Sequence, residues 1–311
     1  MMRQNPSHHR NPGLEWFREQ PKADLHNHCL LGGDRRTIER FKGRKLAPFR
    51  FSGKGIHSLN QWIGNEVREV YQLPGGVEKG IEAAYLQAVR DGVVRLEMSI
   101  DVLIPAMFPV TPKKIVQTLS HFHRTLAPHI DFRPELGMAR SVDPGHLMKS
   151  IEPFLATGYF QSIDLYDDEF AQPAGAFREI YRRAKQLGMR CKAHAGEFGS
   201  ADSVKETVET LELDAVQHGI SAATSPAVMR WLADQQIPLN VCPASNIRLR
   251  RARSYSTHPV RILFDHGVRV TINTDDALIF RTGVSEQMNR LFVSGAFTLA
   301  ELEIIRLNGL A

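Results

Sequence analysis

The chain alternates short runs of apolar residues with stretches of helical period, and the alternation is regular from residue 22 to the C-terminus. The first strand predicted is Lys22–Cys29. A helix around Val77–Arg90 leads into a strand ending at Asp101. A helix over Pro112–Leu126 then precedes a strand ending at Arg140. Thr111 followed by Pro112 is a helix-start signal, because a hydroxyl accepts an orphan N–H and proline fits the first helical position. The pattern continues with a helix over Gly145–Leu155, the strand FQSIDLYDD and a helix over Ala176–Leu187. RCKAHAGE follows as the fifth strand, with a helix over Ala201–Leu211 and the strand DAVQHGI behind it. Helix Pro226–Asp234, strand PLNVCP, helix His258–His266, strand VRVTINTDD and a single helix over Ser285–Leu307 complete the series.

Eight strand–helix repeats with short returns call for parallel pairing, and eight strands close a barrel. The expected fold is therefore an α/β TIM (β/α)8 barrel, read as one domain over residues 1–311. Residues 31–76 interrupt the alternation after strand one. An insertion of that length on a βα loop is expected to overlie an active site.

Composition adds little to the fold but narrows the setting. Hydrophobic residues at 42% and charged residues at 23% suit a globular chain with a large core. No apolar run reaches the roughly 20 residues that span a bilayer, and the N-terminus lacks an apolar leader core, so a cytoplasmic location is the default expectation. Cys29, Cys191 and Cys242 sit in or beside apolar runs without a CxxC pair, which reads as buried reduced thiols. Basic residues crowd Arg35, Arg36, Arg40, Lys42, Arg44, Lys45, Arg50 and Lys54, and again Arg248, Arg250, Arg251 and Arg253. Such runs are solvated faces or attract phosphate. No motif or aromatic–basic alternation supports nucleic-acid binding.

The chemistry lies in where the unusual polar residues fall. His26 and His28 end strand one, His194 and Glu197 end strand five, His218 ends strand six, and Asp275 with Asp276 ends strand eight. All are C-terminal strand ends, where barrel enzymes keep their catalytic groups. Residues two apart in a strand share a face, so His26 and His28 can grip one ion, and His194 with Asp275 completes a His₃Asp set suited to Zn²⁺ with an open position for water. His218 is left to orient that water or take its proton. Glu197 is placed to protonate a ring nitrogen. Asp276 is a candidate substrate contact, although acids at a strand end more often cap the next helix.

The segments PKADLHNHCLLGG, SIDLYDDE, KAHAGE, QHG, VCPASN and NTDDALIF, in this order, resemble the adenosine deaminase family of the amidohydrolase superfamily. The resemblance implies one Zn²⁺ per chain on His26, His28, His194 and Asp275. It also implies proton donation by Glu197 to purine N1, assistance by His218 and substrate contact by Asp276, with hydroxide addition at C6 and loss of ammonia. Three departures stand out. Leu30 occupies a place where family members acting on free adenosine carry an acid for the ribose. Asp167 replaces the usual glycine near the purine N3 edge. The chain stops at LNGLA where relatives continue into more helix. Leu30 and the arginine-rich segments, expected at the catalytic rim, suggest a substrate other than plain adenosine, such as a phosphorylated or 5′-modified nucleoside. The rivals are a dinuclear amidohydrolase, bridged through Asp167 or Glu169 since strand four has no lysine, and a non-catalytic nucleotide-binding barrel. No membrane partner is expected, and a homo-oligomer is an open option.

Overall fold

The computed structural model describes residues 12–53 and 55–311. Eight parallel strands run in sequence order around one sheet: β1 Lys22–His28, β2 Val93–Asp101, β3 Asp131–Ala139, β4 Ser162–Tyr166, β5 Arg190–Ala195, β6 Ala215–His218, β7 Leu239–Val241 and β8 Val270–Ile272. With helices outside, this is the TIM barrel expected. β1 and β8 share no ladder. An isolated parallel bridge joins their C-terminal ends at Asn27 and Asp275, where Asp275 N–H donates to His26 O at 2.8 Å and His28 N–H to Asp275 O at 3.4 Å. Side chains close the seam below it, Leu25 N–H donating to Asn273 Oδ1 at 2.8 Å and Thr274 N–H to Asp24 Oδ1 at 3.0 Å.

Local signals account for most helix starts. Thr111 caps Pro112–Leu126 by accepting from Lys114 N–H at 3.2 Å, and Asp143 caps Pro144–Leu155 by accepting from His146 N–H at 2.9 Å. The last expected helix is two helices, Val284–Val293 and Leu299–Leu310. Gly295 at φ 76° ends the first, and a capping box of Thr298 with Glu301 starts the second, so local chemistry overrides a continuous apolar period. A helix over Leu14–Glu19 precedes the barrel, a short helix Pro243–Arg248 follows β7 after one residue, and another, Ala277–Phe280, follows β8 after four, so both strands are shorter than expected. The 31–76 insertion folds as Arg35–Lys42, Ile56–Glu66 and Arg68–Gln72.

The barrel interior is not uniformly apolar. Lys192 on β5 is buried between Glu97, at 2.7 Å, and Glu135, and Ser162 Oγ donates to Glu135 at 2.8 Å. Across β6, β7 and β8 a polar ladder runs from Asn240, which donates to Gln217 at 2.9 Å, to Thr271, which donates to Asn240 at 2.9 Å, and Asn273, which donates to Thr271 at 2.8 Å. These groups hold one another and lie among the side chains that fill the tube. The three cysteines are free and buried. No helix among the described residues is long and apolar enough to cross a membrane.

Candidate active site

The seven residues placed at strand ends do converge. Alternation along β1 turns His26 and His28 to one side, their Nε2 atoms 3.3 Å apart, and His194 near the end of β5 brings its Nε2 to 3.1 Å from that of His26. Asp275 lies three residues beyond β8, with Oδ1 3.4 Å from His28 Nε2 and 3.7 Å from His26 Nε2. Ligand atoms about 2.0–2.1 Å from one tetrahedral ion are about 3.3 Å from each other, so these spacings fit a shared cation. The donor set, three imidazoles and a carboxylate, suits zinc chemically.

At His26 and His28 the electrostatics agree with ligation. Burial, together with the neighbouring imidazoles, holds His26 well below its usual value, and burial also lowers His28, so both present lone pairs. Burial alone would lower His194 as well, but Asp164, reinforced by Glu197 and Asp275, raises it to about 9. The carboxylate of Asp164 lies 3.3 Å from His194 Nδ1 and fixes that ring with Nε2 toward the centre. His26 Nδ1 faces Asn240 O at 3.3 Å and Cys242 Sγ at 3.4 Å, on the ring edge away from His194. Burial drives the Cys242 thiol far up.

Two titratable groups flank the set. His218 Nε2 is 3.6 Å from Glu197 Oε2 and 3.9 Å from Asp275 Oδ2, and burial keeps its imidazole neutral. Burial, with Asp275 beside it, pushes the Glu197 carboxyl well above the ordinary range, the state a proton donor needs. Its peptide is held on both sides: Glu197 N–H donates to Glu169 Oε1 at 2.8 Å, and Arg251 Nε donates to Glu197 O at 2.9 Å. Glu169 also accepts from Gly196 N–H and Phe198 N–H, each at 2.7 Å. Asp276 caps nothing with its side chain, although it precedes the helix Ala277–Phe280. Glu197 Oε1 and Asp276 Oδ1 are buried without a hydrogen-bond partner among the described residues, as expected of atoms that await a ligand.

A cavity of about 440 Å³ opens beside His28. Asn60, Ile63, Gly64, Arg68 and Tyr71 of the insertion line it, so the insertion does overlie the site. Leu30 lines it too, packed so tightly that a Cβ on Gly80 would meet its Cδ2 at 2.6 Å. Asp167 stands on the opposite wall with Tyr166 and Asp101. The first basic cluster is placed elsewhere. Arg35, Arg36 and Lys45 line a separate depression with Arg18, Arg90 and Arg281, while Arg44 pairs with Glu66 and Glu69. Helix Arg35–Lys42 turns its basic face outward because Ile38 is fully buried beneath it. Lys54 lies outside the described residues. Of the second cluster, Arg251 reaches the site through the Glu197 carbonyl and stacks over Phe198 at 5.3 Å.

Sequence reasoning missed Asp164 and the part played by Asn246, and it named Glu169 only as a possible bridge between two ions and Arg251 only as one of a basic run. Asp164 and Tyr166 are two apart on β4, and that spacing was a signal that both face the tube. Asn246, whose Nδ2 is 3.2 Å from His218 Nδ1, carried no comparable signal.

Comparison with known proteins gives a consistent picture. The family model described as adenosine deaminase matches residues 72–311. A putative adenosine/adenine deaminase of Treponema pallidum (strain Nichols) is 32% identical over 292 residues, 94% of this chain and 98% of that one. An adenine deaminase of Rhodopseudomonas palustris (strain BisB18) is 39% identical over 144 residues, 46% of this chain and 41% of that one. Among solved structures, an adenine deaminase from Arthrobacter aurescens superposes with a TM-score of 0.83 at 24% identity, covering 93% of this chain and 92% of that one. An amidohydrolase from Burkhoderia ambifaria with bound Zn gives 0.81 at 22% identity, covering 99% and 88%. At these identities the two structures speak to the fold.

Proposed function

From a chain that belongs to the adenosine deaminase family, we propose a zinc-dependent hydrolase that replaces the amino group of a 6-aminopurine with oxygen and releases ammonia. The observation that carries this reading is the pairing of Glu197 and His218 across the mouth of the His26–His28–His194–Asp275 set, with Oε2 and Nε2 3.6 Å apart. Zinc held by those four residues supplies Lewis acidity and lowers the pKa of water to roughly 7. Glu197, kept protonated by burial, donates to ring N1 and makes C6 electrophilic. His218 accepts the proton of the water that attacks C6. Asp276, whose carboxyl burial and Asp275 also push up, meets a further ring nitrogen. His218 returns that proton to the amino nitrogen, the C6–N bond breaks to release ammonia, and the proton of the added hydroxyl restores Glu197, leaving the 6-oxo ring.

One ion per chain is part of the proposal. The dinuclear alternative needs a bridging carboxylate from the β4 loop, but Glu169 is committed to three backbone N–H groups and Asp167 accepts from Asn60 at 3.3 Å and from Ser141. Leu30 offers no hydrogen bond to a sugar hydroxyl, which supports a substrate other than plain adenosine. The test is ammonia release from adenine, adenosine and adenosine monophosphate, with metal content measured alongside. About one zinc per chain is expected, and Glu197→Gln should lower kcat by about 10²–10⁴ with zinc retained. About two zincs would favour the dinuclear reading. Ammonia from no purine would favour a barrel that only binds.

A further inference from the structure

The basic run that follows β1 is not spent on the catalytic cavity. Two adjoining depressions, of about 830 Å³ and 660 Å³, share Arg36, Glu39, Lys45 and Arg90, and neither shares a lining residue with the cavity at His28. Eight cationic side chains and four acids line the pair. The acids are committed elsewhere. Glu39 holds Arg35 and Lys45, each at 2.9 Å, Asp34 holds Arg90, and Glu286 holds Arg290. Asp91 is buried and accepts from Ser285 N–H at 3.2 Å. Arg36, Arg40 and Arg281 are left over: all three are exposed, and none joins an ion pair among the described residues. The residues outside that set, 1–11 and Lys54, include no Asp or Glu that could neutralise them.

Arg281 carries a second sign. It ends the helix Ala277–Phe280 at φ 61°, in the left-handed region, where glycine or asparagine sits at less cost. It also stands beside Arg35, whose guanidinium is held below its usual value by burial and, against the pull of Glu39, by the charge of Arg281. Arg35 cannot turn away, because it donates to Glu39 at 2.9 Å and to Leu278 O and Ala47 O at 3.2 Å each. An unpaired cation kept on costly backbone next to another cation argues for an anionic ligand. Arg36 and Arg40 lie one turn apart on the helix Arg35–Lys42 and extend the positive strip from there.

We propose that this groove binds a small molecule bearing two or more linked phosphates, with Arg281 at one end and Arg36 and Arg40 along it, as a site separate from catalysis. Guanidinium forks meet phosphate oxygens two at a time, and the unpaired cations are spread over both depressions, a span that calls for more than one anionic group. Depressions of this size suit a small ligand. Such a ligand would join the segments that leave β1 and β8, since Arg36 lies on the first helix after β1 and Arg281 follows the helix behind Asp276.

The test is calorimetric titration of the zinc-loaded protein with pyrophosphate and with inorganic phosphate. Wild type should bind one pyrophosphate per chain, and inorganic phosphate more weakly. Arg281→Gly, and the double variant Arg36→Gln with Arg40→Gln, should each weaken pyrophosphate binding by about tenfold or more, the worth of a charge-assisted hydrogen bond. Zinc content should match wild type in both. Arg281→Gly should keep or raise Tm, because glycine suits that backbone, so its weaker titration cannot be laid to misfolding. Pyrophosphate binding that either variant keeps at full strength would put the anion elsewhere, at the metal or in the catalytic cavity, and overturns the proposal. So does the absence of saturable binding to wild type.

Discussion

At the scale of single residues, the site is a set of reactive groups held by others that do no chemistry. Glu169 is the clearest case. Three amides converge on one buried carboxylate, and they belong to the turn that presents Glu197. Glu169→Gln replaces one acceptor oxygen by a donor that faces N–H groups, so Glu197 should shift while the zinc ligands stay. The expected outcome is a fall in kcat of about 10²-fold, as misplacement of a reacting group by an ångström produces, with zinc content unchanged and KM altered little. Loss of zinc in parallel with kcat would refute a role confined to Glu197. The proposed metal ligands were legible because their residue types are scarce and their positions coincide with strand ends. Glu169, Asp164 and Asn246 were not, since Asp, Glu and Asn are common and their importance comes from which backbone or ring atom they meet. Asp276 shows the converse. As a member of a DD pair it reads equally as a cap, and only its unpartnered buried oxygen separates the two readings.

At the scale of elements, strand order and most helices followed from apolar periodicity and caps. The boundaries that slipped are those where a local signal competes with the period. Gly295 and the Thr298–Glu301 box cut one expected helix into two, and the residues Asn273–Asp276, read as strand, keep only an isolated bridge at Asp275, whose φ of 61° turns the chain toward the next helix. His218 and Asp167 also take positive φ at the ends of their strands, so three strands turn sharply at the mouth. The β2–β3–β5 ion cluster was not legible at all, since a charged residue in a strand signals solvent. Lys192 here faces inward, with its ammonium locked between Glu97 and Glu135. Lys192→Met would leave the buried Glu135 carboxyl without its cation and Glu97 with only Arg190 and Arg133 at its outer side, and a loss of roughly 3–5 kcal/mol in urea-unfolding stability is expected. Combining it with Glu97→Gln and Glu135→Gln should restore a large part of that loss. A loss as large in the triple variant would show that packing, not charge, is what Lys192 contributes.

At the scale of the whole molecule, the circle of strands is complete in number but open along one line. Everywhere else neighbouring strands share a ladder, whereas β1 and the segment after β8 are joined backbone to backbone where His26, Asn27 and His28 meet Asp275, and otherwise through side chains, with Leu25 N–H donating to Asn273 and Thr274 N–H to Asp24. His26, His28 and Asp275 are also among the residues proposed to grip the ion: two imidazoles stand on one bank and a carboxylate on the other. A bound cation would therefore act as a clasp, joining the first and last staves of the cask at its rim. Chelation should lower Tm, as loss of any ligand specific to the native state does. The loosening should also be local. Amide exchange at His28 and Asp275 should quicken in the stripped protein, while amides in the β2–β3 ladder such as Met98 and Leu136 keep their protection. Uniform exchange across both regions would show that the clasp bears no strain. If the clasp holds, the enzyme's capacity for chemistry and the roundness of its barrel are lost together, at one place and by one event.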